Sequence, residues 1–212
     1  MRLFLIALIG AVIFLAGRAS DNDLLSLLSK GIPVICLLLW LRQAPPDLYR
    51  RWISIGLGFS LLGDILLDWP GDLFVFGLSA FFVAHLAYLR AYLSDSRQPA
   101  IAALIASLVF GIGMFSLLQQ GGLGDLLIPV ACYACVISLM LWRALARIGA
   151  AGIRQRSYWL AAVGAMLFAL SDSMIGIDRF ITSFAAAPYA IIATYWLGQW
   201  AIAASAFNRS NT

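Results

Sequence analysis

Apolar runs of bilayer length follow one another from residue 2 to residue 207, joined by segments too short to be domains of their own. They lie near 2–17, 24–41, 52–69, 73–93, 100–118, 125–143, 157–177 and 184–207. A helix crosses a membrane with about 20 mostly apolar residues, and about 17 is the lower limit. Hydrophobic residues make up 63% of the chain and charged residues 11%, whereas an ordinary soluble domain is about a quarter charged. The expected fold is therefore all-α: a polytopic bundle of eight transmembrane helices, forming one integral-membrane domain over residues 1–212.

The charges sort by side. Arg42, Arg50 and Arg51 follow the second run, Arg90 and Arg97 the fourth, and Arg143, Arg147, Arg154 and Arg156 the sixth, with Arg2 and Arg209 at the ends. With eight spans these arginines share one side, which the positive-inside rule makes cytoplasmic, and both termini are expected there. The other side keeps Arg18 and Arg179 among Asp21, Asp23, Asp68, Asp72, Asp125 and Asp178. The net charge of +4 is thus a topology signal rather than a nucleic-acid footprint, and the cytoplasmic arginines would meet anionic membrane lipids. The first run, short and preceded by Arg2, has features of a signal peptide. It is read as a span, because removing it would leave an odd number of spans and invert the charge bias.

An ionisable side chain at bilayer depth is costly and is a functional-site candidate by default. Two lie in the stretch 57–88: Asp64 within SLLGDILL, and the single histidine, His85, within FFVAHLAY. At a rise of about 1.5 Å per residue, Asp64 and Asp172 fall a few residues outward of the centres of their helices. Lys30 lies slightly outside the centre of the second helix, and His85 and Tyr133 lie near the midplane. Tyr195 and Gln199 come from the eighth helix, so five or six helices offer polar groups to one layer. Each group has a plainer reading. Lys30 can snorkel on its long stem, His85 can be a hydrogen-bonded packing residue, and Tyr88, Tyr133 and Tyr195 can be packing or interfacial aromatics. The aspartates cannot snorkel far, and two carboxyls in contrasting environments make an acid and a base.

Several chemistries find no motif. HExxH and comparable zinc patterns are absent, as are GxSxG, a P-loop and a dinucleotide fingerprint. Cys132 and Cys135 have CxxC spacing but read, with Cys36, as small packing residues. No metal or cofactor is expected. What remains is acid/base work by carboxylates, or proton-coupled or lipid transport through the same layer. LLGDILL and ALSDSMI each carry an aspartate, and tyrosines follow at Tyr88 and Tyr195, at offsets of 24 and 23 residues. Two four-helix halves related by an axis along the membrane normal would give this pattern.

Lys30 with Pro33, SLLGDILL, Phe76-Gly77, FFVAHLAY, Tyr133, LFALSDSMI, and Tyr195-Trp196 with Gln199 occur in an order and spacing that cover nearly the whole chain. In these the sequence resembles the YhhN/lysoplasmalogenase family of eight-helix membrane proteins. It departs at Gly31-Ile32, which separates Lys30 from Pro33. The resemblance implies a hydrolase that cleaves the vinyl-ether bond of a lysoplasmalogen to a fatty aldehyde and glycerophosphoethanolamine or glycerophosphocholine. It also implies a lysophospholipid substrate and a place in the bacterial inner membrane. Asp64 and Asp172 would divide the acid and base roles, with His85 orienting or relaying a proton. Lys30, Tyr88, Tyr133, Tyr195 and Gln199 would bind substrate. A transporter, or a hydrolase of a different lysolipid, is the competing reading.

Overall fold

The structure, a computed structural model, describes residues 1–207; Arg209, expected among the cytoplasmic charges, lies outside the described residues. The helices are α1 (Arg2–Ala19), α2 (Asp23–Lys30), α3 (Ile32–Leu41), α4 (Leu48–Asp68), α5 (Phe74–Asp95), α6 (Ile101–Gln119), α7 (Leu127–Leu145), α8 (Gln155–Phe180) and α9 (Ala187–Ala204). A short 3₁₀ turn, Gly124–Leu126, leads into α7. Among the described residues there is no strand. Six stretches are long and apolar enough to cross a membrane: α1, α2 with α3, α5, α6, α7 with its leading turn, and α8. The chain is an integral, multi-pass membrane protein.

The expected span 24–41 is one rod broken at Gly31. Asn22 starts α2 by accepting a 3.0 Å bond from the Leu25 N–H. Pro33 has no N–H to continue the ladder and disfavours a helical residue before it, so α2 stops and α3 begins with Pro33 in its first turn. The Ser29 hydroxyl satisfies the Leu25 carbonyl at 2.5 Å inside this weakened turn. Lys30 therefore sits at a helix end, not in a helix middle. The fourth element starts a turn before the expected 52, because Asp47, in extended conformation, accepts a 2.8 Å bond from the Arg50 N–H.

Two hairpins form the centre. α4 lies against α5, and α8 against α9. Small residues let the backbones approach, as is usual where lipid gives no hydrophobic drive between helices. A Cβ on Gly56 would stand 2.2 Å from the Tyr88 ring, and one on Gly164 would stand 2.8 Å from the Ile202 nitrogen. The turn between α4 and α5 needs Gly71, whose φ is +104°. α3 and α7 pack on these hairpins, whereas α1 and α6 are peripheral and bury few side chains.

Each end of the bundle has its own clasp. At the end carrying most arginines, fully buried Arg147 donates to Asp95 Oδ2 at 2.6 Å and to Ser157 Oγ at 3.0 Å, and lies 4.7 Å over the Tyr49 ring. Ser157 in turn donates to the Ser205 carbonyl at 2.7 Å, and Tyr49 meets the Ser205 hydroxyl at 2.7 Å. Arg143 holds the Ser96 and Gln98 carbonyls. At the other end Arg179 pairs with Asp72 at 2.8 Å and lies 4.1 Å over Phe74, which meets Phe180 edge-on at 5.8 Å. The Arg179 hydrogen bonds hold the exposed Asp72 carboxyl below its usual range.

Candidate active site

The hairpins bring the expected polar residues into two neighbouring groups. In the first, Tyr195 on α9 donates a 2.6 Å bond to Asp64 Oδ2 on α4. Lys30 stands 3.9 Å from the other Asp64 oxygen and donates to Asp68 Oδ1 at 3.0 Å. Asp64 is buried, while the Lys30 and Asp68 side chains keep 13% and 34% of their exposure. The lysine thus joins a buried carboxylate to a wetter one, one helical turn apart on the same face of α4. Beside them Tyr88 donates to Gln199 Oε1 at 2.7 Å and lies 3.4 Å from the Ser60 hydroxyl.

In the second group, Tyr133 on α7 donates to Asp172 Oδ2 on α8 at 2.7 Å. His85 Nε2 is 3.3 Å from the same oxygen, and the ring is fully buried. Its Nδ1 lies 2.7 Å from the Phe81 carbonyl oxygen. A carbonyl only accepts, so the network assigns the hydrogen to Nδ1 and leaves Nε2 of a neutral ring with a lone pair. Two acceptors then face each other, and the contact is attractive only when a proton resides on one of them.

Phe168, one turn before Asp172, joins the groups. Its ring centroid is 4.6 Å from His85, 5.5 Å from Tyr195 and 6.0 Å from Tyr88. A cavity of about 50 Å³ reaches Tyr133 and Asp172 between Phe81, Leu118 and Gly176. That is room for a water molecule, which needs about 10–15 Å³ by such a measure. Gln199 Nε2 and His85 Nε2 are buried and have no hydrogen-bond partner, although buried polar groups are nearly always paired.

All eight expected site residues thus lie in these two groups. Along the chain Tyr88 follows Asp64 and Tyr195 follows Asp172; in space Tyr195 bonds Asp64 and Tyr88 bonds Gln199. Sequence reasoning missed Asp68, counted only among the charges of the outer side, and Phe168. Both sit four residues from a named aspartate, the spacing that puts side chains on one helix face. Cys132 and Cys135 are exposed on α7, away from both groups.

Residues 25–206 match the YhhN family. The chain belongs to the YhhN family. The human lysoplasmalogenase TMEM86B is 37% identical over 182 residues, which span 84% of this chain and 74% of the relative. The mouse TMEM86B lysoplasmalogenase is 34% identical over 85% of this chain and 75% of its own length. A lysoplasmalogenase of Mycobacterium bovis is 38% identical over 169 residues, covering 71% of this chain and 62% of the relative. No solved structure gives a significant match.

Proposed function

We propose that this YhhN protein hydrolyses the vinyl-ether bond of a lysoplasmalogen, as the names of its relatives suggest, with Asp64 and Asp172 in different roles. The observation that carries the assignment is their contrasting partners: a cation and a hydroxyl at Asp64, a histidine lone pair and a hydroxyl at Asp172. Asp64, facing Lys30, acts as the anion. Asp172 shares its proton with His85 Nε2 and acts as the acid.

Hydrolysis begins when a proton from Asp172 adds to the vinyl carbon remote from oxygen, leaving an oxocarbenium cation. Asp64 stabilises that charge, which an anion held in a water-poor site does far better than one in bulk water. A water adds to the cationic carbon and gives up a proton, which returns to the carboxyl pair. The hemiacetal then collapses to a fatty aldehyde and the glycerophosphoester alcohol. One water is consumed and no net proton is gained or lost. Tyr133 and Tyr195 fix the two carboxyl groups, and Gln199 Nε2 offers a donor to a substrate oxygen.

The same reading has eight spans, α2 with α3 counting as one and α4 and α9 completing the set, with both termini cytoplasmic in a bacterial inner membrane. α4 misses the apolar stretches because it carries Arg50, Arg51, Asp64 and Asp68, and α9 because it carries Tyr189, Tyr195 and Gln199. The halves are repeats about an axis along the membrane normal. Support comes from packing: α3 contacts α4 and α9 as α7 contacts α8 and α5. Further support comes from IPVIC at Ile32 and IPVAC at Ile128. Such repeats also favour the transport reading.

Aldehyde release by purified protein in detergent, with no gradient present, separates the two. Release by the parent is expected, with a loss of about 10²–10⁴-fold in folded Asp172→Asn, the usual weight of a general acid. A folded parent that releases none from any lysoplasmalogen, yet carries Asp64-dependent flux in vesicles, would overturn the hydrolase.

A further inference from the structure

The peripheral helix α1 lies against α2 and α3, closest where its small residues fall. A Cβ on Gly10 would lie 2.6 Å from Ile32 and one on Gly17 would lie 2.8 Å from the Ser26 hydroxyl, while Phe14 meets Trp196 edge-on at 5.5 Å. A groove of about 920 Å³ opens between α1, α3 and α9, lined by α1 from Met1 to Ala11. Its walls include Ala7, Leu8, Cys36, Trp40, Trp196 and Trp200. Polar side chains gather at one end, where Arg2 and Gln43 stand. The volume lies near the top of the usual range for small-molecule sites, about 300–1,000 Å³.

The groove extends along α3 from Pro33 to Trp40 and reaches Gln43 in the turn beyond it. At about 1.5 Å per residue its helical part is roughly 10 Å long, within one leaflet of a hydrocarbon core about 30 Å thick. It therefore fits inside one leaflet, apolar along its walls, with its one charged side chain at the end where Gln43 stands. Water does not stably fill such a space, and a hydrocarbon chain would restore the dispersion contacts its walls lack.

We propose that this groove binds a glycerophospholipid of the leaflet at the Arg2 end, one hydrocarbon chain lying between α1 and α3 and the phosphate resting on the Arg2 guanidinium. The site is separate from the two carboxyl groups. It uses α1, all of which precedes the residues matched by the family. Its closed end adjoins them through Trp196, the neighbour of Tyr195.

The test is photolabelling of the full chain in nanodiscs, using a phosphatidylglycerol with a diazirine in one chain and mapping adducts by mass spectrometry. Adducts should concentrate on the groove faces of α3 and α9. Two groove-filling variants, Ala7→Trp and Leu8→Trp, should each lower that labelling on the order of tenfold while thermal melting stays within a few degrees. Arg2→Gln should lower it about fivefold, the weight of one surface arginine on an anionic lipid, and leave labelling by a diazirine fatty alcohol unchanged. Labelling spread equally over the exposed face of α6, or unchanged in a folded filling variant, would overturn the proposal. An equal Arg2→Gln loss with the fatty alcohol would overturn the phosphate contact. None of these readouts requires hydrolysis, so the lipid site and the hydrolase reading fail independently.

Discussion

Tyr195 donates a 2.6 Å hydrogen bond to Asp64 across 131 residues of chain, tying α9 to α4 at the centre of the bundle. The bond is charge-assisted if Asp64 is the anion, and hydrogen bonds to charged groups contribute about 1.5–3 kcal/mol. Tyr195→Phe should therefore lower kcat by about 10- to 100-fold and lower the melting temperature by a few degrees. Tyr88→Phe, which breaks a bond between neutral groups, should cost less than about tenfold. Steady-state aldehyde release checks the order; a larger loss for Tyr88→Phe would place the anion elsewhere.

Lys30 lies between two carboxylates, closer to Asp68 than to Asp64. Lys30→Met leaves Asp64 buried without a cation and should abolish most activity, because a charge with its partner removed is costly to keep in a low-dielectric site. Asp68→Asn removes only the wetter partner and should keep activity within about tenfold, consistent with the modest worth of exposed pairs. Comparable losses in both variants would show that Asp68 shares the anionic role.

Gly56 faces the Tyr88 ring at a distance no Cβ can share. Gly56→Ala must move that ring and stretch its bond to Gln199, so a loss of about 1–3 kcal/mol of stability is expected from overpacking. Thermal melting measures it, and Gly58→Ala on the open face of the same helix is the control, which should hold or slightly raise stability through helix propensity.

Arg147 and Asp95 are buried to 0% and 1% side-chain exposure. Removing one partner of a buried pair costs about 3–5 kcal/mol, so Arg147→Met should lower the melting temperature sharply. Aldehyde release measured well below the transition should stay near the parent's, since the clasp lies at the far end of the bundle from Asp64. Activity lost while the fold holds would tie the clasp to the chemistry.

The Asp72–Arg179 pair predicts an acid-sensitive turn. The Asp72 carboxyl is held below its reference value of 3.8 by Arg179, so its contribution is present above that value and is lost as pH falls through the lowered one. Hydrogen exchange across residues 69–74 should quicken below about pH 4 in the parent. In Asp72→Asn it should be fast at every pH.

The helices were legible because apolar runs carry their own length, and the expected bounds differ from the observed ones by a few residues at each end. The break at Gly31 was not, although Pro33 announces it, because a broken span has the same total hydropathy as a straight one. The polar layer was legible as depth, one coordinate per residue. Which group meets which was not, because pairing depends on how each helix is rotated about its axis. Asp64 therefore could not be matched to Tyr195 in preference to Tyr88. Arg147 read as a loop charge, and only the fold of the connecting segment buries it against Asp95 at the end of α5.

The polar side chains of α4 and α9 also set terms for synthesis. During insertion each helix meets lipid before its partners are in place, and an arginine, lysine or aspartate near a helix centre costs about 2.5–3.5 kcal/mol there. On the eight-span reading α4 emerges with Asp64 inside the span before its hydrogen-bond donor, Tyr195 on α9, has been made. It would linger at the mouth of the insertion machinery until α5 arrives, and α9 would enter against an α8 already in place. The two hairpins that build the polar layer are then also the units in which the ribosome delivers it.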